Sequence, residues 1–164
     1  MSKFWKKKLS NINGKIGSGC VIHSHVWIGK KAKIGKKCKV QAFVFIPDGV
    51  ELEDDVFIAP GVIFTNDKIP PSNKWGKILV KKGAAIGAGS VILPDVVIGE
   101  RALVGAGSVV LCDIPADEVW IGNPARYLRK KNIEYENNNN RRKWICRKTY
   151  HNRLESKKLS RNKL

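Results

Sequence analysis

The chain has 164 residues, 43% of them hydrophobic, a length and composition that suit one domain with a single core. Its formal net charge is +17, and it has no apolar stretch of about 20 residues, which excludes a transmembrane helix. The lysine-rich start lacks the apolar core of a signal peptide, so we expect a soluble, cytoplasmic protein with reduced cysteines.

Aliphatic residues recur at every sixth position along most of the chain. Six residues make about 1.7 turns of an α-helix, so this spacing would distribute the aliphatic residues around all sides of a helix. The pattern therefore excludes an amphipathic α-helix. A small or β-branched residue stands two positions before most of them, which puts both on the same face of a short strand. The fifteen aliphatic positions are Ile16, Ile22, Ile28, Ile34, Val40, Ile46, Leu52, Ile58, Phe64, Val80, Ile86, Ile92, Ile98, Val104 and Val110.

The repeats predict an all-β fold in which three strands make one coil of a parallel β-helix. Fifteen repeats give about five coils over residues 16–111, with residues 18 apart stacked on one another. Cys20 and Cys38 are 18 apart, so we expect two stacked core residues and not a reactive pair. We divide the chain into a basic lead-in (1–15), a β-helix domain (16–126) and a basic extension (127–164).

The repeat is interrupted once, between Phe64 and Val80, by about ten extra residues. The segment 65–79 is rich in Asn, Asp, Pro, Ser and Gly, which is typical of an ordered loop. A solenoid needs no such loop for stability, and loops on rigid scaffolds often carry function. We therefore expect it to belong to a binding site; the alternative is a neutral insertion.

The C-terminal third differs in composition from the repeats. Residues 112–126 are expected to cap the solenoid, residues 127–132 to start a short helix, and residues 141–164 to form a basic amphipathic helix or remain disordered. Residues 127–164 contain 13 Lys/Arg against 3 Asp/Glu, a net charge of +10. Such an extension can contact an acidic membrane surface or nucleic acid, or simply be solvated.

Three repeats and the closing segment carry a family resemblance. They are Ile86-Gly-Ala-Gly-Ser-Val, Ile98-Gly-Glu-Arg-Ala-Leu, Val104-Gly-Ala-Gly-Ser-Val and Gly122-Asn-Pro-Ala-Arg126. They resemble the hexapeptide-repeat acyltransferases. The stretch from Leu52 to Asp67 is similar to N-acetyltransferases of nucleotide-linked amino sugars, especially 3-amino-3-deoxy hexoses used for surface polysaccharides. Pro70-Pro71-Ser72 departs from the Pro-Arg-Ser of many relatives.

The resemblance implies a left-handed β-helix that forms a homotrimer and binds acetyl-CoA, without a metal, between neighbouring subunits. It makes Asn66 and His25 the catalytic candidates, with His25 as the base that takes the amine proton. Asn66, Asp67 and His23 are the candidates for substrate binding. Each has a plainer alternative: an Asx-turn opening the loop for Asn66 and Asp67, and exposed turn positions for the histidines.

Small corner residues can let the pantetheine arm approach the backbone; these are Gly87, Ala88, Gly105 and Ala106. The corners of the coils require small residues as well. Arg126 and Lys130 are candidates for the CoA phosphates, with a solvated basic stretch as the alternative.

Three other functions fit parts of the sequence. The enzyme can be an O-acetyltransferase, or the β-helix can be non-catalytic, with its basic tail as the binding element. A zinc hydratase needs three converging histidines, whereas the repeats contain only His23 and His25, at one corner.

Overall fold

The computed structural model describes residues 2–4, 9–72 and 74–131. These residues form nineteen short strands and no α-helix, arranged in three sheets. Sheet I contains β1 (Lys3–Phe4), β4 (Val21–Ile22), β7 (Lys39–Val40), β10 (Phe57–Ile58), β13 (Ala85–Ile86), β16 (Leu103–Val104), β18 (Glu118–Ile121) and β19 (Arg126–Lys130). Sheet II contains β2 (Asn11–Ile12), β5 (Trp27–Ile28), β8 (Phe45–Ile46), β11 (Ile63–Phe64), β14 (Val91–Ile92) and β17 (Val109–Val110). Sheet III contains β3 (Lys15–Ile16), β6 (Lys33–Ile34), β9 (Val50–Leu52), β12 (Ile78–Val80) and β15 (Val96–Ile98).

From β1 to β17, consecutive strands belong to sheets I, II and III in turn, so the chain winds around a three-sided prism. Val21 pairs in parallel with Lys39, which pairs with Phe57, giving the predicted 18-residue coil. Phe57 then pairs with Ala85, 28 residues further on, because the loop inserts ten residues. The left-handed parallel β-helix predicted from the sequence is confirmed.

The interior of the prism is a stack of aliphatic side chains. The aliphatic residue of each repeat from Ile22 to Val110 is buried, as is the residue two positions before it. Cys20 and Cys38 are buried free thiols, each donating to a carbonyl of the next coil at 3.0 Å. Burial raises the pKa of the Cys38 thiol to about 12, so this thiol is an inert core group.

The solenoid extends beyond the predicted coils at both ends and makes about six turns. At the N-terminal end, β1 and β2 come from the stretch assigned to the lead-in and pair with β4 and β5. At the other end, β18 pairs with β16, and β19 folds back antiparallel along it.

The prediction of a helix that begins at Tyr127 is wrong, because Arg126–Lys130 form β19. An edge strand needs a partner for its backbone groups, and β19 supplies one to β18. Ala125, at the turn between these strands, is buried against the core. The rest of the predicted extension lies outside the described residues. No helix among the described residues is long and apolar enough to cross a membrane.

Candidate functional site

Each coil turns three corners, and the candidate residues occupy two of them. The corner between sheets I and II carries His23 and His25 in the second coil and the predicted acetyl-CoA residues Gly87, Ala88, Gly105 and Ala106 in later coils. The corner between sheets II and III carries Asn66 and Asp67, where the loop leaves β11. Within one chain, sheet II therefore separates the histidines from the loop.

Along the corner between sheets I and II, one position per coil has a left-handed backbone. It is occupied by His25, Phe43, Gly61, Gly89 and Gly107, with φ between 59° and 70°. From the N-terminal to the C-terminal coils, this position changes from two residues with ring side chains to three glycines. His25 and Gly107 are four strand spacings apart, or about 19 Å.

The glycines at this corner fall into two groups. A Cβ on Gly87 would lie 2.7 Å from the carbonyl carbon of Gly105, and one on Gly105 would lie 2.5 Å from Cγ2 of Ile121. Both glycines are therefore needed for stacking. A Cβ on Gly89 or Gly107 would meet no heavy atom within 4 Å. These two glycines, which the sequence analysis did not select, leave open surface for a ligand.

His25 is an exposed ring whose orientation is set by a neighbour in the next coil. It stacks on Phe43 with ring centroids 4.8 Å apart and planes inclined by 18°. Phe43 is itself 64% exposed. His23 is half-buried, and its backbone N–H donates to the carbonyl of Val40 at 2.9 Å. Phe43 was not predicted as a site residue, although its spacing of 18 residues from His25 places the two side chains at one corner.

The loop is ordered by its own hydrogen bonds. The Asp67 carboxylate accepts from the backbone N–H of Ile69 at 3.1 Å, and from the backbone N–H and the hydroxyl of Ser72 at 2.7 and 2.8 Å. The hydrogen bond from the Ser72 side chain is the largest cause of the lowered pKa of Asp67. Asp67 thus occupies the Asx-turn role that was the alternative to substrate binding. Asn66 is half-buried, and its carbonyl accepts from Gly76 at 2.8 Å.

The base of the loop is seated on the next coil. A Cβ on Gly76 would lie 2.6 Å from both Pro94 Cβ and Asp95 Oδ1, so only glycine fits. Asp95 also accepts from the backbone N–H of Lys77 at 3.2 Å and lies 3.8 Å from the Lys68 ammonium. Above this base the loop exposes Trp75, at 60%.

The two basic candidates near the cap have different surroundings. The Lys130 ammonium lies 3.1 Å from Glu118, whose other oxygen accepts from the indole N–H of Trp120 at 2.9 Å. These contacts, that of Trp120 first, lower the pKa of Glu118. Arg126 is exposed, and its guanidinium donates to the carbonyl of Ala125 at 3.1 Å. Arg126 is therefore the better placed of the two to meet an anion.

The outer face of sheet II is apolar along most of its length. Trp27 and Phe45 stack there with centroids 4.7 Å apart, and Ile63, Val91 and Val109 continue the row. Sheet III carries charged side chains at the matching outward positions of its first three strands. No group of three or more His, Cys, Asp or Glu side chains in the described part of the chain is placed to hold a metal ion.

Comparison with known proteins agrees with the repeat pattern. Residues 77–112 match the model of the bacterial transferase hexapeptide family (six repeats). The bifunctional protein GlmU of Shouchella clausii (strain KSM-K16) is 38% identical over 103 residues, which are 63% of this chain and 22% of GlmU. The chain thus spans about a fifth of this curated relative.

Solved structures resemble the hexapeptide solenoid over most of its length. A mutant GDP-perosamine N-acetyltransferase from Caulobacter crescentus, in complex with CoA and GDP-perosamine, is 22% identical with a TM-score of 0.69, covering 79% of this chain and 58% of its own. A mutant of AntD, an N-acyltransferase from Bacillus cereus, in complex with dTDP and coenzyme A, is 23% identical with a TM-score of 0.67, covering 98% and 85%. At these identities the likeness establishes the fold.

Proposed function

We propose that the protein is a cytoplasmic, acetyl-CoA-dependent N-acetyltransferase whose acceptor is a nucleotide-linked amino sugar, a 3-amino-3-deoxy hexose for surface polysaccharides. The observation that carries the proposal is the corner between sheets I and II, where the open glycines Gly89 and Gly107 lead along one edge to His25. The hexapeptide repeats and the neighbours crystallised with CoA and a nucleotide or nucleotide sugar support it.

In this proposal the pantetheine arm lies along the open edge. Gly89 and Gly107 present no side chain there, so the arm can approach the backbone closely. The exposed Arg126, at the cap, binds a CoA phosphate. The thioester end then points toward the first coils, where His25 and Phe43 stack.

Acetyl transfer needs a neutral amine, an attack geometry and support for the developing oxyanion. The sugar amine attacks the thioester carbonyl, the new C–N bond forms, and the C–S bond breaks to release CoA. His25 accepts the proton that the amine loses, and that proton or another from solvent completes the CoA thiol. Asn66 positions the acceptor through its amide group.

The proposed assembly is a homotrimer, because His25 and Asn66 lie at different corners of one chain. The apolar outer face of sheet II, including the stacked Trp27 and Phe45, is suited to burial against a second copy. Packing there would bring the loop of one subunit toward the histidine corner of its neighbour. Light scattering tests the assembly, and a monomer would contradict a shared site.

The experiment that tests the function is a screen of nucleotide-linked amino sugars with acetyl-CoA, following release of the CoA thiol. Each amino sugar is paired with the sugar bearing a hydroxyl at the same carbon, so that N-acetylation is distinguished from O-acetylation. Asn66→Ala should lower kcat/KM by roughly 30- to 1000-fold with an unchanged fold. If the wild type acetylates one of these amino sugars and Asn66→Ala acetylates it equally fast, Asn66 is not part of the site.

A further inference from the structure

Charge is distributed unevenly along the solenoid. Residues 1–47 contain eleven lysines and no acidic residue, and the first acidic side chain is that of Asp48. Residues 48–131 contain ten lysines and arginines against eleven acidic residues. The positive charge of the β-helix is therefore concentrated in its N-terminal turns, and the remaining turns are close to neutral.

Six exposed lysines lie along part of the second coil and the start of the third, and we call them the lysine belt; sheet II carries none of them. Two lie at the corner between sheets II and III, one on sheet III, two at the corner between sheets III and I, and one on sheet I. Their distribution around the prism axis means that no single side contains all of them. The members are Lys30, Lys31, Lys33, Lys36, Lys37 and Lys39.

The belt lies close to the N-terminal end of the prism. Lys39 is two strand spacings from β1, and Lys33 is one spacing from β3, or about 10 and 5 Å. These distances are comparable with the Debye length of about 8 Å at physiological salt. A flat anionic surface touching this end would therefore attract the belt lysines together, although Lys33 contributes less because its ammonium lies 3.1 Å from Glu51. The same end exposes two apolar side chains, Phe4 at 37% and Leu9 at 49%.

We propose that the N-terminal end of the solenoid docks on an anionic lipid bilayer. Lysines near such a surface each strengthen binding by roughly fivefold, and several acting together give useful affinity. Phe4 and Leu9 add apolar contact at the interface. This matches the chemistry of a membrane surface, which offers a plane of negative charge over an apolar layer.

Nucleic acid is the competing polyanion, and the structure favours it less. Proteins that bind single strands add aromatic side chains to a basic groove so that bases can stack. The outward positions of the first three strands of sheet III are Lys15, Lys33 and Glu51, and Lys33 pairs with Glu51 at 3.1 Å. Trp27 and Phe45 belong to sheet II, around the corner.

The test measures co-sedimentation of the full chain with vesicles of phosphatidylcholine and phosphatidylglycerol, and with vesicles of phosphatidylcholine alone. The belt variant is Lys30→Gln/Lys36→Gln/Lys39→Gln, which removes one charge from the corner between sheets II and III, one from the corner between sheets III and I, and one from sheet I. A matched control, K77Q/K81Q/K82Q, removes three exposed lysines from the neutral turns. A second control, K157Q/K158Q/K163Q, removes three from the basic extension.

We expect the wild type to bind only the anionic vesicles, with an affinity that falls as salt is added. The belt variant should bind roughly 10- to 100-fold more weakly, and each control should lose no more than about threefold. Thermal unfolding checks that all variants are folded. Vesicle binding is measured without acetyl-CoA or acceptor, so its result is independent of the proposed acetyl transfer.

Four results would overturn the docking proposal. The first is that the wild-type protein does not co-sediment with anionic vesicles. The second is equal loss in all three variants, which would assign binding to net charge alone. The third is a loss confined to the K157Q/K158Q/K163Q variant. The fourth is tighter binding of the wild type to single-stranded or duplex RNA or DNA, measured by fluorescence anisotropy, than to the vesicles.

Discussion

Two glycines that are two residues apart, Gly87 and Gly89, should respond very differently to the same added methyl group. In Gly87→Ala the new Cβ would lie 2.7 Å from the carbonyl carbon of Gly105 in the next coil. Relief requires the two coils to separate, which weakens the hydrogen bond from Gly87 N–H to the Val104 carbonyl, now 2.8 Å. Overpacking of about 1–3 kcal/mol and a lost hydrogen bond of about 1 kcal/mol give a loss of about 2–4 kcal/mol.

Gly89→Ala meets no atom within 4 Å, so its cost is only that of an alanine at φ +67°. That cost is about 1–2 kcal/mol, or a fall in Tm of about 2–8 °C for a chain of this size. Its methyl group, however, enters the edge proposed for the pantetheine arm. We therefore expect the KM for acetyl-CoA to rise in Gly89→Ala by roughly tenfold or more, through lost close approach.

Thermal unfolding and steady-state kinetics of the two variants, measured side by side, test this reasoning. Gly87→Ala should be the less stable, and Gly89→Ala should have the higher KM for acetyl-CoA. Equal stability of the two variants would refute the stacking argument. An unchanged KM in Gly89→Ala would refute the position of the pantetheine arm.

Three further predictions concern single groups. Asp67→Ala should loosen the loop and reduce activity while the solenoid remains folded, as measured by hydrogen exchange of loop amides. Because the folded pKa of Asp67 is lowered, its contribution is present above its unfolded pKa and is lost as pH falls below about 4. In a Cys146→Ser background, a thiol reagent at neutral pH should label exposed Cys112 in the native protein and spare Cys20 and Cys38 until unfolding. His25→Ala should reduce the rate by about 10²–10⁴-fold, with a deficit that shrinks as pH rises; a pH-independent deficit would make His25 structural.

The six-residue period was sufficient to predict the coils, because each repeat places one aliphatic side chain in the interior of the prism, whichever residues face outward. It also located the loop, since the 28-residue register between Phe57 and Ala85 follows directly from the spacing. The ends were harder to predict. Phe4, Ile12 and Ile16 are eight and four residues apart, so the six-residue period did not reveal β1 and β2. Arg126–Lys130 became a strand because β18 needed a partner.

The site was predicted less fully than the fold. The sequence selected Gly87 and Gly105 for their small size, but their Cα atoms face the next coil and their absent side chains serve packing. Gly89 and Gly107 are also glycines, and they differ from Gly87 and Gly105 only in the direction in which a Cβ would point. A sequence does not show that direction. Likewise, the sequence predicted that Asp67 binds substrate, whereas its carboxylate accepts hydrogen bonds from Ile69 and Ser72.

The last prediction follows from the separation of His25 and Asn66 by sheet II within one chain. If each site takes His25 from one subunit and Asn66 from its neighbour, the two inactive variants should complement each other. Random assembly of equal amounts of His25→Ala and Asn66→Ala subunits gives about a quarter of the sites both intact residues. Unfolding and refolding the variants together should therefore restore about a quarter of wild-type activity, while each variant refolded alone keeps only its own low activity. An active mixture can arise only from a shared site. If the refolded mixture contains mixed trimers and is no more active than the separate variants, both residues act within one subunit, and the trimeric arrangement of the site is wrong.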